Sequence, residues 1–315
     1  MVRKTSEMVE AGILSAIAVL FAVVATYVPV LGAFVNFLWP VPIAVCGVRN
    51  GLRWSIMTLV VAGAVLGAIL GPIQAFTFMS IFGLMGLALG EALRRGYSAT
   101  KILGIASVAT LISIVFSLFV TTYIMGTDPI SFMFDGFEKY LAESSEYYEA
   151  FGMSKEATAQ AMESNKQMLA AIKLALPASF VLCGPLLSVV NYYVLGKVLA
   201  RVGMTVPALP LFKKWYVPAW VIWPYALSIM GLSFFGENEY PLLYHIAVNL
   251  QMLAGVAFFI QGLALVWWAT ERFEKPKAWA IIFVAAAFGI PLVSMIAVLA
   301  GAVDTVFDYR ELREI

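Results

Sequence analysis

The sequence predicts an all-α fold, a polytopic membrane helical bundle of about nine transmembrane helices, on three observations. Its 315 residues are 62% hydrophobic and only 12% charged, which leaves too little polar surface for a water-soluble domain. The mean hydropathy is +0.90. The hydrophobic residues are gathered in nine runs separated by short polar segments, a pattern typical of chains that cross a bilayer repeatedly.

The nine apolar runs set the predicted domain organisation. A helix needs about 20 apolar residues to cross the hydrocarbon core. We predict a six-span domain over 1–200, a basic cytoplasmic loop over 201–214, three further spans over 215–302 and an extracytoplasmic tail over 303–315. The runs are 11–31, 34–48, 54–70, 73–93, 102–125, 171–195, 215–235, 244–270 and 278–302.

The distribution of basic residues predicts the orientation of these spans. Most of the 20 lysines and arginines fall on one side if the N-terminus is cytoplasmic, as the positive-inside rule requires. We therefore expect a multi-pass protein of the bacterial inner (cytoplasmic) membrane with its N-terminus inside and its C-terminus outside. The short second run is taken as a crossing, because a re-entrant loop would place Arg49 and Arg53 outside.

The one sizeable polar insert, 127–168, lies between the fifth and sixth runs. Apolar residues recur there at helical spacing with acids between them, which predicts an amphipathic helix on the outer membrane surface. A second helix is expected to begin with Ser154 as its N-cap and to be kinked at Pro177. The insert is either an interfacial hairpin or a lid over an outward-facing cavity, with Tyr147, Tyr148 and Phe151 at the ligand.

The second run carries the strongest indication of a binding site. It is short for a span and contains Asn36, Trp39, Pro40 and Pro42. Broken backbone at membrane depth is tolerated only where protein or a cavity satisfies its polar groups, so we expect this stretch to be buried in the bundle.

Several classes of function lack their usual residues. The chain has one histidine and two cysteines, and we find no nucleophile motif, phosphate-binding loop or metal-ligand spacing. We therefore expect no enzymatic activity, no cofactor, no metal and no nucleic acid partner.

Two resemblances add to this interpretation. The stretch Pro40–Gly51, the glycine-rich spans after it and the ending Gly301–Arg313 resemble the YybS-like family of bacterial membrane proteins. The first 200 residues or so are similar to the substrate-capture (S) subunits of energy-coupling-factor transporters. That likeness implies six spans, an outward-facing pocket, and a small-residue face on the first span that meets a transmembrane coupling subunit with ATPases. The face would be Ala11, Gly12, Ser15 and Ala16.

The leading hypothesis is a substrate-binding subunit for uptake of a small, vitamin-like organic molecule. Aromatic walls with a few amides suit a neutral or aromatic ligand. The candidate contacts are Asn36, Trp39, Gln74, Phe76, Tyr123, Tyr147 and Tyr148. The alternative is a non-transporting scaffold or regulatory protein that binds partner membrane proteins through the same small-residue faces.

Overall fold

Every regular element in the described part of the chain is helical. The structure is a computed structural model that describes residues 2–150 and 153–312, with the backbone alone at 2–4, 142 and 145–150. The helices are α1 Val2–Tyr27, α2 Leu31–Asn36, α3 Pro40–Asn50, α4 Leu52–Ile69, α5 Pro72–Phe78, α6 Leu84–Arg94, α7 Ala99–Phe119, α8 Pro129–Ala150, α9 Lys155–Arg201, α10 Ile222–Phe234, α11 Pro241–Arg272, α12 Lys277–Gly289 and α13 Pro291–Phe307. Two π-helical turns, Met79–Gly83 and Val120–Ile124, follow α5 and α7.

The predicted fold class is confirmed. Among the described residues, seven helices are long and apolar enough to cross a membrane, and eight if α12 and α13 together make one span. The second of these spans, Leu31–Asn50, combines α2 and α3 and is 56% buried, the highest share of the seven. Ala219–Phe234 is a shorter apolar segment.

The chain divides into two compact units. Unit 1 is Met1–Gln167 with Phe180–Leu209, and unit 2 is Met168–Ser179 with Pro210–Ile315. The middle of α9 therefore belongs to unit 2 although both its ends belong to unit 1. Nothing in the hydrophobic pattern of α9 indicates this division.

Close helix contacts through glycine organise unit 1. A Cβ atom on Gly86 would lie 2.9 Å from the carbonyl oxygen of Pro40, and one on Gly90 would lie 2.8 Å from that of Ala44. Such faces let two backbones approach closely in lipid, where packing replaces the hydrophobic effect between helices. They bring α6 against the broken second span, whose residues from Pro40 to Gly47 are all buried.

The polar insert begins with a capped helix. Asp128 accepts hydrogen bonds from the hydroxyl of Ser131 at 2.7 Å and from the N–H groups of Ile130 and Ser131 at the start of α8. The Ser131 hydroxyl, followed by the backbone N–H groups, lowers the pKa of Asp128. The predicted N-cap of the next helix is confirmed, because the Ser154 hydroxyl accepts from Ala157 N–H.

Helix α9 continues through Pro177, and a side chain from α11 takes part in its backbone hydrogen bonding there. The Asn249 carboxamide accepts from Ala178 N–H at 2.8 Å and donates to the Leu174 carbonyl at 2.9 Å. These are the two backbone groups that would bond each other in an unbroken helix. Asn249 therefore satisfies both polar groups beside a proline within unit 2.

In unit 2, α10 runs antiparallel to α11. Tyr225 near the start of α10 stacks edge-on with Phe258, and Gly231 near its end lies against Ala247. Residues at the start of α10 thus meet the second half of α11, and residues at its end meet the first half. This arrangement places Lys213, which precedes α10, beside Glu271 at the end of α11.

The last apolar segment is a bent pair of helices whose two ends meet the same region. Helices α12 and α13 are bent by 114° at Ile290. Lys277, which begins α12, acts electrostatically on Glu271, and Arg310, just after α13, donates to the carbonyl oxygen of Lys213 at 2.8 Å. Both ends therefore lie at the Lys213 and Glu271 end of α11, as in a re-entrant hairpin.

This contact bears on the prediction for the C-terminal tail. We predicted the tail 303–315 on the opposite side of the membrane from the loop 201–214, with 278–302 as a crossing. The start of this tail is wrong, because residues 303 to 307 belong to α13. The contact between Arg310 and the Lys213 carbonyl favours a tail on the same side as the loop 201–214. A hydrophobic run of this length does not reveal that the helix turns back at Ile290.

A topology experiment tests the re-entrant geometry. We expect a reporter fused after Ile315 and a cysteine placed at Lys214 to respond as residues on one side of the membrane, because Arg310 bonds the neighbouring Lys213. Labelling of the cysteine by an impermeant maleimide, compared with reporter activity, measures this. A cysteine at Glu239, at the other end of α11, is the control for the opposite side, and an Ile315 reporter that behaves like this control would contradict the hairpin.

Candidate functional site

A row of hydroxyl groups on α7 forms a buried polar seam in unit 1. Ser107, Thr110, Ser113 and Ser117 follow one another at spacings of three and four residues, which puts them on one face of the helix. Thr110, Ser113 and Ser117 are buried and Ser107 is half-buried. A hydroxyl face inside an apolar bundle is costly unless its hydrogen bonds are made, so its partners define the site.

Neighbouring elements supply some of those partners. Ser117 accepts from Ser80, in the first π-helical turn, at 3.1 Å, and Ser107 donates to Ser188 of α9 at 3.4 Å. Asn191, one turn beyond Ser188 and fully buried, donates from Nδ2 to the Phe37 carbonyl at 2.9 Å. These bonds join the segment before α3, the π-helical turn, α7 and α9 around the seam.

Three buried polar atoms of this region have no hydrogen-bond partner among the described residues. They are Trp39 Nε1, Ser113 Oγ and Asn191 Oδ1. The set offers an N–H donor, a carbonyl acceptor and a hydroxyl that can do either. Buried polar groups are almost always hydrogen-bonded, so each of the three calls for an explanation such as a bound polar molecule.

The apolar side of this region is aromatic. The Trp39 ring is fully buried and lies 5.8 Å from the Phe78 ring, which lies 6.4 Å from that of Phe82. Phe78 directly precedes the π-helical turn Met79–Gly83, and Phe82 lies within it, as does Ser80. Single π-helical turns occur frequently at functional sites.

The residues predicted for ligand binding occupy different environments. Trp39 belongs to the seam region, and Asn36 and Gln74 are half-buried without a side-chain hydrogen bond to any described residue. Phe76 packs 6.4 Å from the ring of Phe116, and Tyr123 is 77% exposed. The side chains of Tyr147 and Tyr148, like all of Phe151, lie outside the described residues.

The predicted partner face on α1 is split between two surfaces. Ala11 and Ser15 are buried, and the Ser15 hydroxyl donates to the Ala11 carbonyl and to that of Thr58 in α4. Gly12 and Ala16 are exposed. Two of the four residues therefore pack inside unit 1, and the other two remain on its surface.

Unit 2 contains a buried ion pair that the sequence analysis missed. Asp304 of α13 is 2% exposed and Arg310 is 6% exposed. Arg310 Nε lies 3.0 Å and Nη2 2.9 Å from Asp304 Oδ2. Ionisable groups inside a membrane bundle are rare and mark functional or structural centres.

The ion pair is part of a longer network. Gln261 of α11 donates to Asp304 Oδ2 at 2.5 Å and accepts from Val217 N–H at 2.8 Å. Arg310 reaches the Lys213 carbonyl, and the Lys213 ammonium pairs with Glu271. We predicted Asp304 as part of an external tail; its position directly after an apolar run was the available signal for a buried acid.

Taken together, the helices and the buried polar groups define a multi-pass helical membrane protein. The family described as "Predicted membrane protein (DUF2232)" matches residues 16–305, so the chain belongs to that family. It is 25% identical to "Uncharacterized protein YybS" of Bacillus subtilis (strain 168) over 308 residues, which cover 98% of both chains. No solved structure matches.

Proposed function

We propose that this integral membrane protein binds a small, neutral, hydrogen-bonding organic molecule through unit 1, as a substrate-capture protein would. The observation that carries the proposal is the set of three unpartnered atoms at Trp39, Ser113 and Asn191. Their donors and acceptors suit a neutral heterocycle or amide, and the aromatic rings beside them suit a flat ligand. The half-buried amides of Asn36 and Gln74 add polar side chains that bond no described residue.

The charge of the seam supports the neutral character of this ligand. The polar side chains of the seam and beside it are hydroxyl, amide and indole groups, and the buried pair Asp304–Arg310 lies in unit 2. A charged molecule in this region would be desolvated without a counter-charge, which is strongly unfavourable. Vitamins and nucleobases without net charge are therefore the class to screen.

Substitutions at the unpartnered atoms test the proposal. Trp39→Phe and Ser113→Ala remove polar groups that bond no described residue, so both variants should melt within a few degrees of the wild type. Each should weaken ligand binding roughly two- to tenfold, because one hydrogen bond contributes about 0.5–1.5 kcal/mol. The measurement is ligand-dependent thermal stabilisation of the purified protein across a metabolite panel, followed by titration of the best compound.

Thr110→Val is the matched control on the same face of α7, since the Thr110 hydroxyl already donates to the Ala106 carbonyl. Unchanged affinity in both test variants would place the ligand elsewhere. If no compound stabilises the wild type and a membrane protein without an associated ATPase copurifies with it, the partner-binding alternative is favoured. The exposed pair Gly12 and Ala16 on α1 is the observation that supports that alternative.

A further inference from the structure

A groove of about 440 Å³ lies at the C-terminal end of α11, within unit 2 and separate from the seam. Four of its lining residues are apolar, and the polar ones are Thr270 and Lys275. The Thr270 hydroxyl donates to the Val266 carbonyl, so Lys275 is the group left to meet a ligand. The lining residues are Val266, Ala269, Thr270, Phe273, Lys275 and Trp279.

A tight turn holds Lys275 at this groove. Phe273 N–H donates to the Ala269 carbonyl at 2.9 Å, and Lys275 N–H donates to the Thr270 carbonyl at 2.8 Å. Between them Glu274 adopts φ +52°, a left-handed conformation that closes the helix. Lys275 is therefore anchored through its backbone to the last turn of α11.

The groove has the chemical features of a membrane–water boundary. Trp279, near the start of α12, lines it, and Trp267 and Trp268 lie in the last turns of α11. Tryptophan concentrates at the level of the lipid headgroups. The groove is therefore placed where a phosphate group and the first carbons of an acyl chain would meet the protein.

The charge at this boundary is positive. Arg272, Lys275 and Lys277 lie within six residues of one another, against Glu271 and Glu274. Glu271 is already paired with Lys213, whereas Lys275 has no acidic partner among the described residues. Lys275 is exposed, so its ammonium is accessible to an anion at the groove.

We infer that this groove binds one acidic phospholipid, with its phosphate at Lys275 and its acyl chain along Val266, Ala269 and Trp279. A small inorganic anion would satisfy the lysine and leave the apolar walls uncovered. A zwitterionic phospholipid would cover the walls but offer no net charge. Basic pockets beside transmembrane helices on the cytoplasmic side are known to select acidic headgroups.

The test is native mass spectrometry of the delipidated full-length protein titrated with phosphatidylglycerol or phosphatidylcholine. We expect the wild type to bind one phosphatidylglycerol in preference to phosphatidylcholine. Lys275→Gln should weaken phosphatidylglycerol binding about fivefold, which corresponds to about 1 kcal/mol for one basic residue near the surface. Trp279→Ala should weaken both lipids, because it shortens the apolar wall.

Lys214→Gln is the matched control, since Lys214 is exposed at the same end of unit 2 and does not line the groove. Three results would overturn the inference: equal binding of the two lipids, equal effects of Lys275→Gln and Lys214→Gln, or displacement of phosphatidylglycerol by millimolar inorganic phosphate. The last would assign the site to a free anion. None of these results depends on the ligand of the seam.

Discussion

Replacing Asp304 with leucine is expected to lower the free energy of unfolding by about 3–5 kcal/mol, because it leaves the Arg310 guanidinium buried without its counter-charge. The Arg310 side chain is fully inaccessible, and Asp304 is its only acidic contact among the described residues. Gln261 would also lose an acceptor. Reversible unfolding in mixed micelles, followed by circular dichroism, measures the change.

Two further variants separate the buried charge from a general effect of substitution. Asp304→Leu combined with Arg310→Met should recover much of the loss, since no charge then remains buried. Lys139→Gln removes an exposed ion pair whose atoms are 4.0 Å apart, and should cost less than about 1 kcal/mol. If Asp304→Leu is as mild as Lys139→Gln, the ion pair does not stabilise unit 2.

Gly301→Ala is expected to be the second large destabilisation, of about 3 kcal/mol, at the upper end of what overpacking costs. Its Cβ would lie 1.9 Å from the carbonyl oxygen of Phe258, and a backbone atom cannot rotate away as a side chain can. A Cβ atom on Gly262, on the facing helix, would likewise lie 1.9 Å from the carbonyl oxygen of Ala297. Helices α11 and α13 would have to separate, and the packing between them would be lost.

Gly255→Ala is the matched control, because it makes the same change in α11 at a position with no heavy atom within 4 Å of the new Cβ. It should leave stability unchanged or raise it by up to about 1 kcal/mol, since alanine favours a helix over glycine. The comparison is made by the same unfolding measurement. Equal stabilities of Gly301→Ala and Gly255→Ala would show that the close contact is not maintained in the folded protein.

The helices were predictable because their signals are local. The lengths of the hydrophobic runs predicted the apolar helices that the structure forms. Ser154 predicted the start of α9, because its hydroxyl accepts a hydrogen bond from the N–H of a residue three positions away. The burial of the second span was also predictable. Its prolines and its short length require protein around it, whatever the partners are.

The candidate sites were predictable only in part, because they depend on residues far apart in the sequence. Trp39 was named from its own surroundings, but Ser113 and Asn191 resemble ordinary polar residues of apolar helices until α7 and α9 are brought beside it. The bond between Asn191 and Phe37 spans 154 positions. Spacing within one helix carries no information about such a contact.

By itself, the sequence determined that this protein is a multi-pass helical membrane protein with a buried, broken second span. Hydrophobicity, chain length and proline act over a single helix, and a linear pattern records them. Only the tertiary structure decided that α13 turns back toward Lys213 and that Asp304 pairs with Arg310 inside unit 2. Burial of a charge depends on which helices surround it, and that arises when the helices pack.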